Sequence, residues 1–367
     1  MDAKKYWVGF NHVKGIGAVR FQRLLNIFSS AEEAWNASEP ELRKSGIGEK
    51  ALINLLKFRR ENNLDEIYAD ALAKGIEVVT IEEKDYPENL RKINNAPPIL
   101  YIKGKLMEDD WRSIAVVGTR KMTAYGKNIV KELGEIAAQN SVTLVSGLAR
   151  GTDSEAHRSV LDAGGRTLAV MGSGVDVIYP QENLQLAQSV IQNGALISDY
   201  APGTQPEGIN FPPRNRIISG LSLATIVVEA GLRSGALITA SFAADQGREV
   251  FAVPGSIYAP QSKGTNKLIF DGAYPLIAFK DIFEILDLEN VQYQSKIQKE
   301  VPTDETELLI LKMLQKESMQ IDDLQAISGL PVERISSTLM FLELKGYVKN
   351  IGNMTYSAIY EVKQEYS

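Results

Sequence analysis

The chain of 367 residues contains no cysteine. That excludes a disulfide framework, thiolate metal sites and a cysteine nucleophile, and it fits a reducing compartment. Histidine is nearly absent too, with only His12 and His157. No Ser-His-Asp set can be assembled from them, and Gly-x-Ser-x-Gly is missing. No Walker A sequence is present, which argues against an ATPase. No apolar run approaches the roughly 18–20 residues of a membrane span. Met1 to Gly9 lacks an apolar signal core, so a cytoplasmic protein with no membrane partner is expected. A positive net charge is lacking as well: the formal charge is −6. That argues against a broad electrostatic footprint on nucleic acid but leaves room for a local basic groove.

What is present is a chain long enough for two or three domains with a buried core. Its centre is organised around Ser113 to Gly126, SIAVVGTRKMTAYG. A buried apolar run ends at Gly118, Thr119-Arg120-Lys121 follow, and a helix begins near Thr123. A strand feeding a helix through such a turn is half of a βαβ unit, and it places backbone amides where anions bind. Arg120 adds a planar fork suited to phosphate. The pattern then repeats. Strands are expected over Ile114–Val117, Thr143–Ser146, Thr167–Met171, Leu196–Ser198, Ala224–Val228 and Glu249–Val253. Helices are expected near 124–139, 153–163, 182–193, 212–220 and 235–246. This alternation predicts an α/β fold, a doubly wound and mostly parallel sheet with ligands at the carboxyl ends of its strands. GIEVVTI at 75–81 and ILYIKG at 99–104 read as two further strands that extend the sheet or link domains, with Trp111 expected to pack at that junction.

Four small-residue turns sit at strand ends: Gly118-Thr119-Arg120, Gly147 to Thr152 with Arg150 and Gly151, Gly172-Ser173-Gly174, and Gly231 to Gly235. One alone is ordinary βα chemistry. Four with three arginines point to a groove for an anion or nucleotide, with no cofactor implied because the dinucleotide fingerprint is incomplete. Asp153 and His157 fall on one helix face, which would suit a metal or a general base, but a helix-start segment capped by Thr152 or Asp153 is the expected reading. The segment Ile209 to Gly220, INFPPRNRIISG, reads as a rigid loop. It joins Phe211 to two prolines and to Arg214, Asn215 and Arg216. An aromatic ring beside arginines is what single-stranded nucleic acid needs. A buried Phe211 beside turn-ending prolines is the equal alternative.

The ends of the chain differ from the centre. Residues 1–70 read as helical, with Gly15-Ile16-Gly17 and Gly46-Ile47-Gly48 each opening a helix. Such turns resemble helix-hairpin-helix motifs that offer amides to DNA phosphate; they also serve simply as tight αα turns. Residues 71–288 form the sheet domain, 289–302 read as a linker, and 303–367 as a winged helix. There, helices are expected over Glu307–Leu314, from Ile321, and over 332–344, followed by a short hairpin. The expected recognition helix carries one arginine, Arg334, and acids outnumber bases. Protein interaction or weak DNA contact is therefore expected of it.

Taken in order, VVGTR at 116–120, VSGLARGTDSEAH at 145–157, VMGSGVDVIYP at 170–180, FPPRNRIISGLS at 211–222, VVEAGLRSGALITA at 227–240 and KGTNKLI at 263–269 resemble the DNA-processing protein A family (DprA/Smf). The resemblance implies an extended Rossmann-like core that dimerises and binds single-stranded DNA. It also implies loading of the RecA recombinase onto that DNA during natural transformation, and no enzymatic activity. By position it implies that Arg120 holds a phosphate, that the turns at Gly147–Thr152 and Gly172–Gly174 form the groove floor, and that Phe211 meets a base with Arg214 and Arg216 flanking. Lys263 should lie nearby. Dimerisation is expected through the carboxyl part of the sheet domain, with Leu268, Ile269 and Phe270 contributing. The sheet also resembles the lysine-decarboxylase-like nucleotide hydrolases. Their PGGxGTxxE signature is missing here, and Glu229 is the only candidate acid.

Overall fold

Short runs of aliphatic and β-branched residues, four to six long and bounded by glycine or polar turns, are too short for helices that span a core. They pair as strands buried on both faces. A computed structural model describes residues 3–286, 305–344, 347–352 and 354–358. It divides into two compact units, Met1–Asn290 and Val291–Ser367. The linker expected at 289–302 lies outside the described residues.

The first unit begins with six helices: α1 (Lys4–His12), α2 (Ala18–Leu25), α3 (Ala31–Asn36), α4 (Glu39–Lys44), α5 (Glu49–Glu61) and α6 (Leu64–Ala73). The sheet follows as β1 (Glu77–Thr80), a short α7 (Glu88–Arg91), β2 (Ile99–Gly104) and β3 (Ser113–Val117). Next come α8 (Ala124–Gln139), β4 (Thr143–Ser146), α9 (Thr152–Asp162), β5 (Thr167–Val170), α10 (Leu184–Gln192) and β6 (Gly194–Ser198). After these, α11 (Phe211–Leu221), β7 (Ala224–Val227), α12 (Gly235–Asp245), β8 (Glu249–Ala252), α13 (Lys263–Phe270), β9 (Tyr274–Pro275) and α14 (Lys280–Ile285) complete the unit.

The nine strands are ordered β1-β2-β6-β5-β4-β3-β7-β8-β9. From β6 to β9 every pairing is parallel, and β1 and β2 add an antiparallel margin. Strand β3 is central: Ile114 pairs with Leu144 on one side and Ala224 on the other. The chain proceeds from β3 outward to β6, then crosses back through α11 to place β7 on the opposite side of β3. The strand order thus reverses between β3 and β7, and the crevice beyond their carboxyl ends is where such sheets bind ligands.

Alternation along β3 assigns its two faces. Ile114 and Val116 join Val130 and Leu133 of α8 and Ala156 and Val160 of α9 in one core. Ala115 and Val117 join Ile217 and Ile218 of α11 and Ala236 and Ala240 of α12 in another. A third core unites the N-terminal helices with the sheet: Trp7, Phe10, Phe21 and Leu55 share it with Val78, Tyr101, Ala169 and Leu196. The boundary expected between residues 70 and 71 falls inside α6, and the N-terminal helices share apolar packing with the strands that follow.

The second unit contains α15 (Glu305–Lys316), β10 (Met319–Gln320), α16 (Ile321–Ser328), α17 (Val332–Leu344), β11 (Val348–Gly352) and β12 (Thr355–Ala358). Its three strands are ordered β10-β12-β11, and the helices close over Ile310, Leu314, Leu324, Ile335 and Leu339. This is a winged helix.

Three local readings are corrected. The segment 209–220 is not a loop; it is a 3-10 turn at Gly208–Asn210 running into α11. Pro212 and Pro213 fall in the first helical turn, where a missing N–H leaves no hydrogen bond unmade. Trp111, expected at a packed junction, is 48% exposed. The two-residue edge strand β9 and helix α13 are absent from the sequence-based expectation, because neither carries an apolar run of strand or helix length.

Candidate nucleic-acid interface

The crevice at the β3/β7 reversal is a cleft of about 700 Å³. Gly118, Thr119 and Arg120 form one lip, and Gly231 and Arg233 the other, with the first turn of α11 between them. Arg120 and Arg233 are exposed. Among the described residues neither has a hydrogen-bond or ion-pair partner, so both guanidinium groups face the cleft mouth unpaired. The turn bearing Arg120 is held from behind. Thr152 donates through both its amide and its hydroxyl to the Thr119 carbonyl, each at 3.1 Å, and the Lys121 amide donates to Thr119 Oγ1 at 3.2 Å.

Phe211 opens α11 and is partly buried. Its ring lies 5.7 Å from that of Tyr179, tilted by 39°, so the cleft wall carries an aromatic pair. The Arg214 guanidinium sits 6.0 Å from the Phe211 centroid. Arg214 does not reach into solvent: it is 4% exposed. Its Nη1 donates to the Gly147 carbonyl at 2.8 Å and to the Val170 carbonyl, the ends of β4 and β5. Burial lowers its pKa to about 10, with Asp153 working in the opposite direction. The group therefore stays cationic at neutral pH. Burial raises the Asp153 carboxyl, against the pull of Arg214. His157 beneath them is fully buried and donates or accepts at Thr167 Oγ1, 2.7 Å away. Burial, then Arg214, lowers its pKa to about 3, so it is neutral, and its Nε2 is buried without a hydrogen-bond partner. No group of histidine and acidic residues suited to a metal ion occurs among the described residues.

The strand-end glycines have a different purpose from the one their sequence suggests. A Cβ on Gly147 would lie 2.5 Å from Arg214 Nη1, and one on Gly172 2.7 Å from Phe211 Cδ1. The space these glycines leave is filled by the chain's own arginine and phenylalanine, which seats α11 against the sheet.

Of the residues expected in the site, Gly118, Thr119, Arg120, Phe211, Arg214 and Asn215 line the cleft. Gly151 and Thr152 support the Arg120 turn from behind. Arg150 lies outside, paired with Glu182 through two hydrogen bonds of 2.8 and 2.9 Å. Ser173 is 1% exposed and donates to the Val177 carbonyl at 2.7 Å. Its turn, Gly172 to Gly174, is closed on itself and contributes no open floor. Arg216 does not flank Phe211: two residues along a helix rotate the side chain by about 200°, so Arg216 points away from Arg214's face and pairs with Asp199 at 2.8 Å. Lys263 is exposed at the start of α13, beside Gly264, whose amide donates to Ala230 at 2.7 Å.

A family model described as DNA recombination-mediator protein A matches residues 77–287, and one described as the DprA winged helix domain matches 294–352. The chain is 32% identical to Protein Smf of Synechocystis, over 96% of this chain and 98% of that protein. The chain belongs to the DNA recombination-mediator protein A family. The crystal structure of DprA from Streptococcus pneumoniae covers 77% of this chain and 97% of its own, with 31% identity and a TM-score of 0.67. DprA from Helicobacter pylori covers 58% and 98%, with 28% identity and a TM-score of 0.52; its structure was described for that protein's single-stranded DNA binding mode.

Tyr179, which sequence reasoning reads only as part of a motif, lines the cleft, and so does Arg233, counted among the three turn arginines that point to a groove but not placed individually in the site. A signal for Arg233 exists: it ends the β7 turn on the other side of the reversal from Arg120. Glu229 is spoken for. It is 3% exposed and accepts from the Thr123 amide at 2.9 Å and the Thr123 hydroxyl at 2.5 Å, tying β7 to the start of α8.

Proposed function

We propose that this protein binds single-stranded DNA in the β3/β7 cleft, protects it, and delivers it to the RecA recombinase in natural transformation and homologous recombination. The observation that carries the binding step is the pair of unpartnered arginines, Arg120 and Arg233, on facing lips of a cleft walled by Phe211 and Tyr179. Arginine forks neutralise phosphates, and a base stacks on an aromatic ring for about 1–3 kcal/mol. Family membership supports the same ligand, because the Helicobacter pylori relative is described as binding single strands. The RecA step is drawn from the family alone; faster assembly of RecA filaments on coated single strands is its test.

A non-enzymatic role is supported by Glu229, the one acid the hydrolase alternative offers, being buried and hydrogen-bonded to Thr123. Exposed apolar side chains support a second copy of the chain as a partner: Ile257, Tyr258, Phe270 and Ile277 are 71–87% exposed. Of the three residues expected to contribute, Phe270 is exposed and Leu268 packs inward. Sedimentation at micromolar concentration should give a dimer that Phe270→Asp dissociates. No helix among the described residues is long and apolar enough to cross a membrane.

The decisive experiment is fluorescence polarisation with labelled oligo-dT and its duplex across a salt series. Single-strand binding that weakens with salt and collapses in Arg120→Ala is expected. Equal binding by Arg120→Ala would remove the cleft from the account.

A further inference from the structure

The connection from β6 to α11, residues 199–210, ends directly before Phe211. Pro206 and Gly208 of this segment line the β3/β7 cleft. Thr204, Glu207 and Asn210 line a different cleft of about 580 Å³, which Asn11 and His12 of α1 help to close. The segment is therefore a wall with space on both sides. Packing alone does not fix such a wall. Directed bonds at its ends have to set where the aromatic ring that follows it stands.

Two adjacent residues just after β6 supply those bonds. The Tyr200 hydroxyl donates to the carbonyl of Asn210, the residue immediately before Phe211, at 3.2 Å. Burial, reinforced by Asp199, raises the Tyr200 pKa to about 12, so the hydroxyl keeps its proton at neutral pH and donates. Asp199 accepts from Arg216 Nη2 at 2.8 Å, on the far side of Phe211 along α11. The two bonds thus bracket Phe211. Both residues are themselves held. The Tyr200 amide donates to Ser198 Oγ at 3.0 Å, and Asn11 Nδ2 of α1 donates to the Asp199 carbonyl at 3.1 Å. Asn11 Oδ1 in turn accepts from the buried Tyr101 hydroxyl of β2 at 3.1 Å.

The Asp199–Arg216 pair makes only half of the fork that an arginine and a carboxylate can form. Arg216 Nη1 and Asp199 Oδ1 are both buried without a hydrogen-bond partner. A buried pair with unmet groups adds little net stability, because desolvation offsets the attraction. What the pair does fix is the spacing between the end of β6 and α11. Arg216 faces away from the β3/β7 cleft, so it acts on a ligand there only through the helix it shares with Phe211.

We propose that Asp199, Tyr200 and Arg216 are positioning residues for Phe211: they hold the start of α11 so that its ring stands beside Tyr179 before a strand arrives. The inference rests on the function proposed above, in which Phe211 stacks a base. A ring fixed in advance loses no conformational freedom on binding, whereas a ring on a loosened wall has to be ordered by the ligand, which lowers affinity. The attraction of Arg120 and Arg233 for phosphate is untouched in either case.

The test is a double-mutant cycle on the full chain, read as affinity for labelled oligo-dT at several salt concentrations. Tyr200→Phe removes only the hydroxyl and should melt within about 4 °C of wild type. It should weaken binding by about threefold to tenfold, and by no more than Phe211→Ala does. The slope of log affinity against log salt should stay the same, because no phosphate contact is lost. In the Phe211→Ala background the same substitution should change affinity by less than about twofold, since the ring it positions is gone. A substitution that merely loosened the fold would lower affinity equally in both backgrounds. Asp199→Ala should repeat this pattern, and Asp199→Asn, which keeps an acceptor for Arg216, should recover part of the lost affinity. Tyr200→Phe binding as tightly as wild type would overturn the proposal, as would a loss that persists in full in the Phe211→Ala background; either result leaves Phe211 as a stacking residue. Phe211→Ala binding like wild type, or a wild type that binds no single strand, would overturn stacking and positioning together.

Discussion

The β3/β7 cleft and the recognition helix of the winged helix each present about one helical turn of exposed side chains, and they present opposite chemistry. At the cleft, Arg120 and Arg233 are unpaired and Phe211 and Tyr179 stand beside them. On α17 the single arginine, Arg334, is exposed but engaged, donating to Thr306 Oγ1 at 3.0 Å. The exposed surface of that helix instead carries Met340 at 65% and Phe341 at 56%. Free cations beside aromatic rings suit a polyanion with stacking bases. A helix face with exposed methionine and phenylalanine and no free cation suits a protein partner. Where an arginine's donors go therefore decides more than how many arginines a segment contains.

The contrast within the cleft, between arginines that contact ligand and the arginine that supports them, predicts the largest effect. Arg214→Ala removes a buried cation from Asp153 and from the carbonyls that end β4 and β5. Leaving those two buried carbonyls without their donor destabilises by about 1–3 kcal/mol for each. Urea unfolding should show that loss, whereas Arg120→Ala should unfold like wild type. A stable Arg214→Ala protein that fails to bind DNA would instead make Arg214 a contact residue.

His157, in the same support, predicts an acid-dependent loss. Its folded pKa of about 3 lies below the ordinary 6.5, so the unfolded chain binds more protons between those values. Stability therefore falls as pH drops from about 6.5 toward 3, by up to a few kcal/mol. Asp153 has a raised carboxyl pKa and contributes the opposite slope just above its ordinary range. Because it is present in both proteins, the difference between wild type and His157→Asn isolates the histidine. The variant should show a flatter acid limb in thermal melts. Parallel limbs would mean that His157 titrates normally in the folded state.

The contact groups come next. Arg120→Ala/Arg233→Ala should weaken single-strand binding by more than about 100-fold, since hydrogen bonds to charged groups are worth about 1.5–3 kcal/mol each. The salt slope should fall by about 0.7 for each phosphate that is no longer neutralised. Phe211→Ala should weaken binding by about 10- to 100-fold, from the stacking energy of one base, with the salt slope unchanged. Polarisation titrations at several salt concentrations separate the two. A Phe211→Ala variant that lowers the slope would show that the ring acts only by placing Arg214.

Most of the sheet is legible in the sequence because strands buried on both faces read as unbroken apolar runs, as Ile114–Val117 and Leu168–Met171 do. Strand β9 has two residues, one of them proline, and leaves no such trace. Arg120 is legible as a cleft residue because its neighbours in sequence place it: a strand before, a helix after, a glycine between. Arg214 and Arg216 are not. An arginine just beyond two prolines reads the same whether it meets phosphate or carbonyls. What settles it are partners 44 and 67 residues away, Val170 and Gly147. The same holds for Gly147 and Gly172, whose missing side chains make room for residues far along the chain.

The smallest effect sharpens the comparison most. Arg334→Ala deletes the one hydrogen bond by which that side chain holds α17 to Thr306 at the start of α15. The expected loss is about 1 kcal/mol in the stability of the winged-helix unit. If the cleft alone binds single strands, the full chain's affinity for oligo-dT should change less than about twofold, within the range of a surface substitution. Its salt slope should stay the same, because an arginine engaged with Thr306 releases no counterion from DNA. A slope lowered by about one unit would show that Arg334 leaves Thr306 and takes a phosphate when DNA is bound. The winged helix would then be a second reader of the same strand, and its Met340 and Phe341 would face a base or a groove in place of a protein.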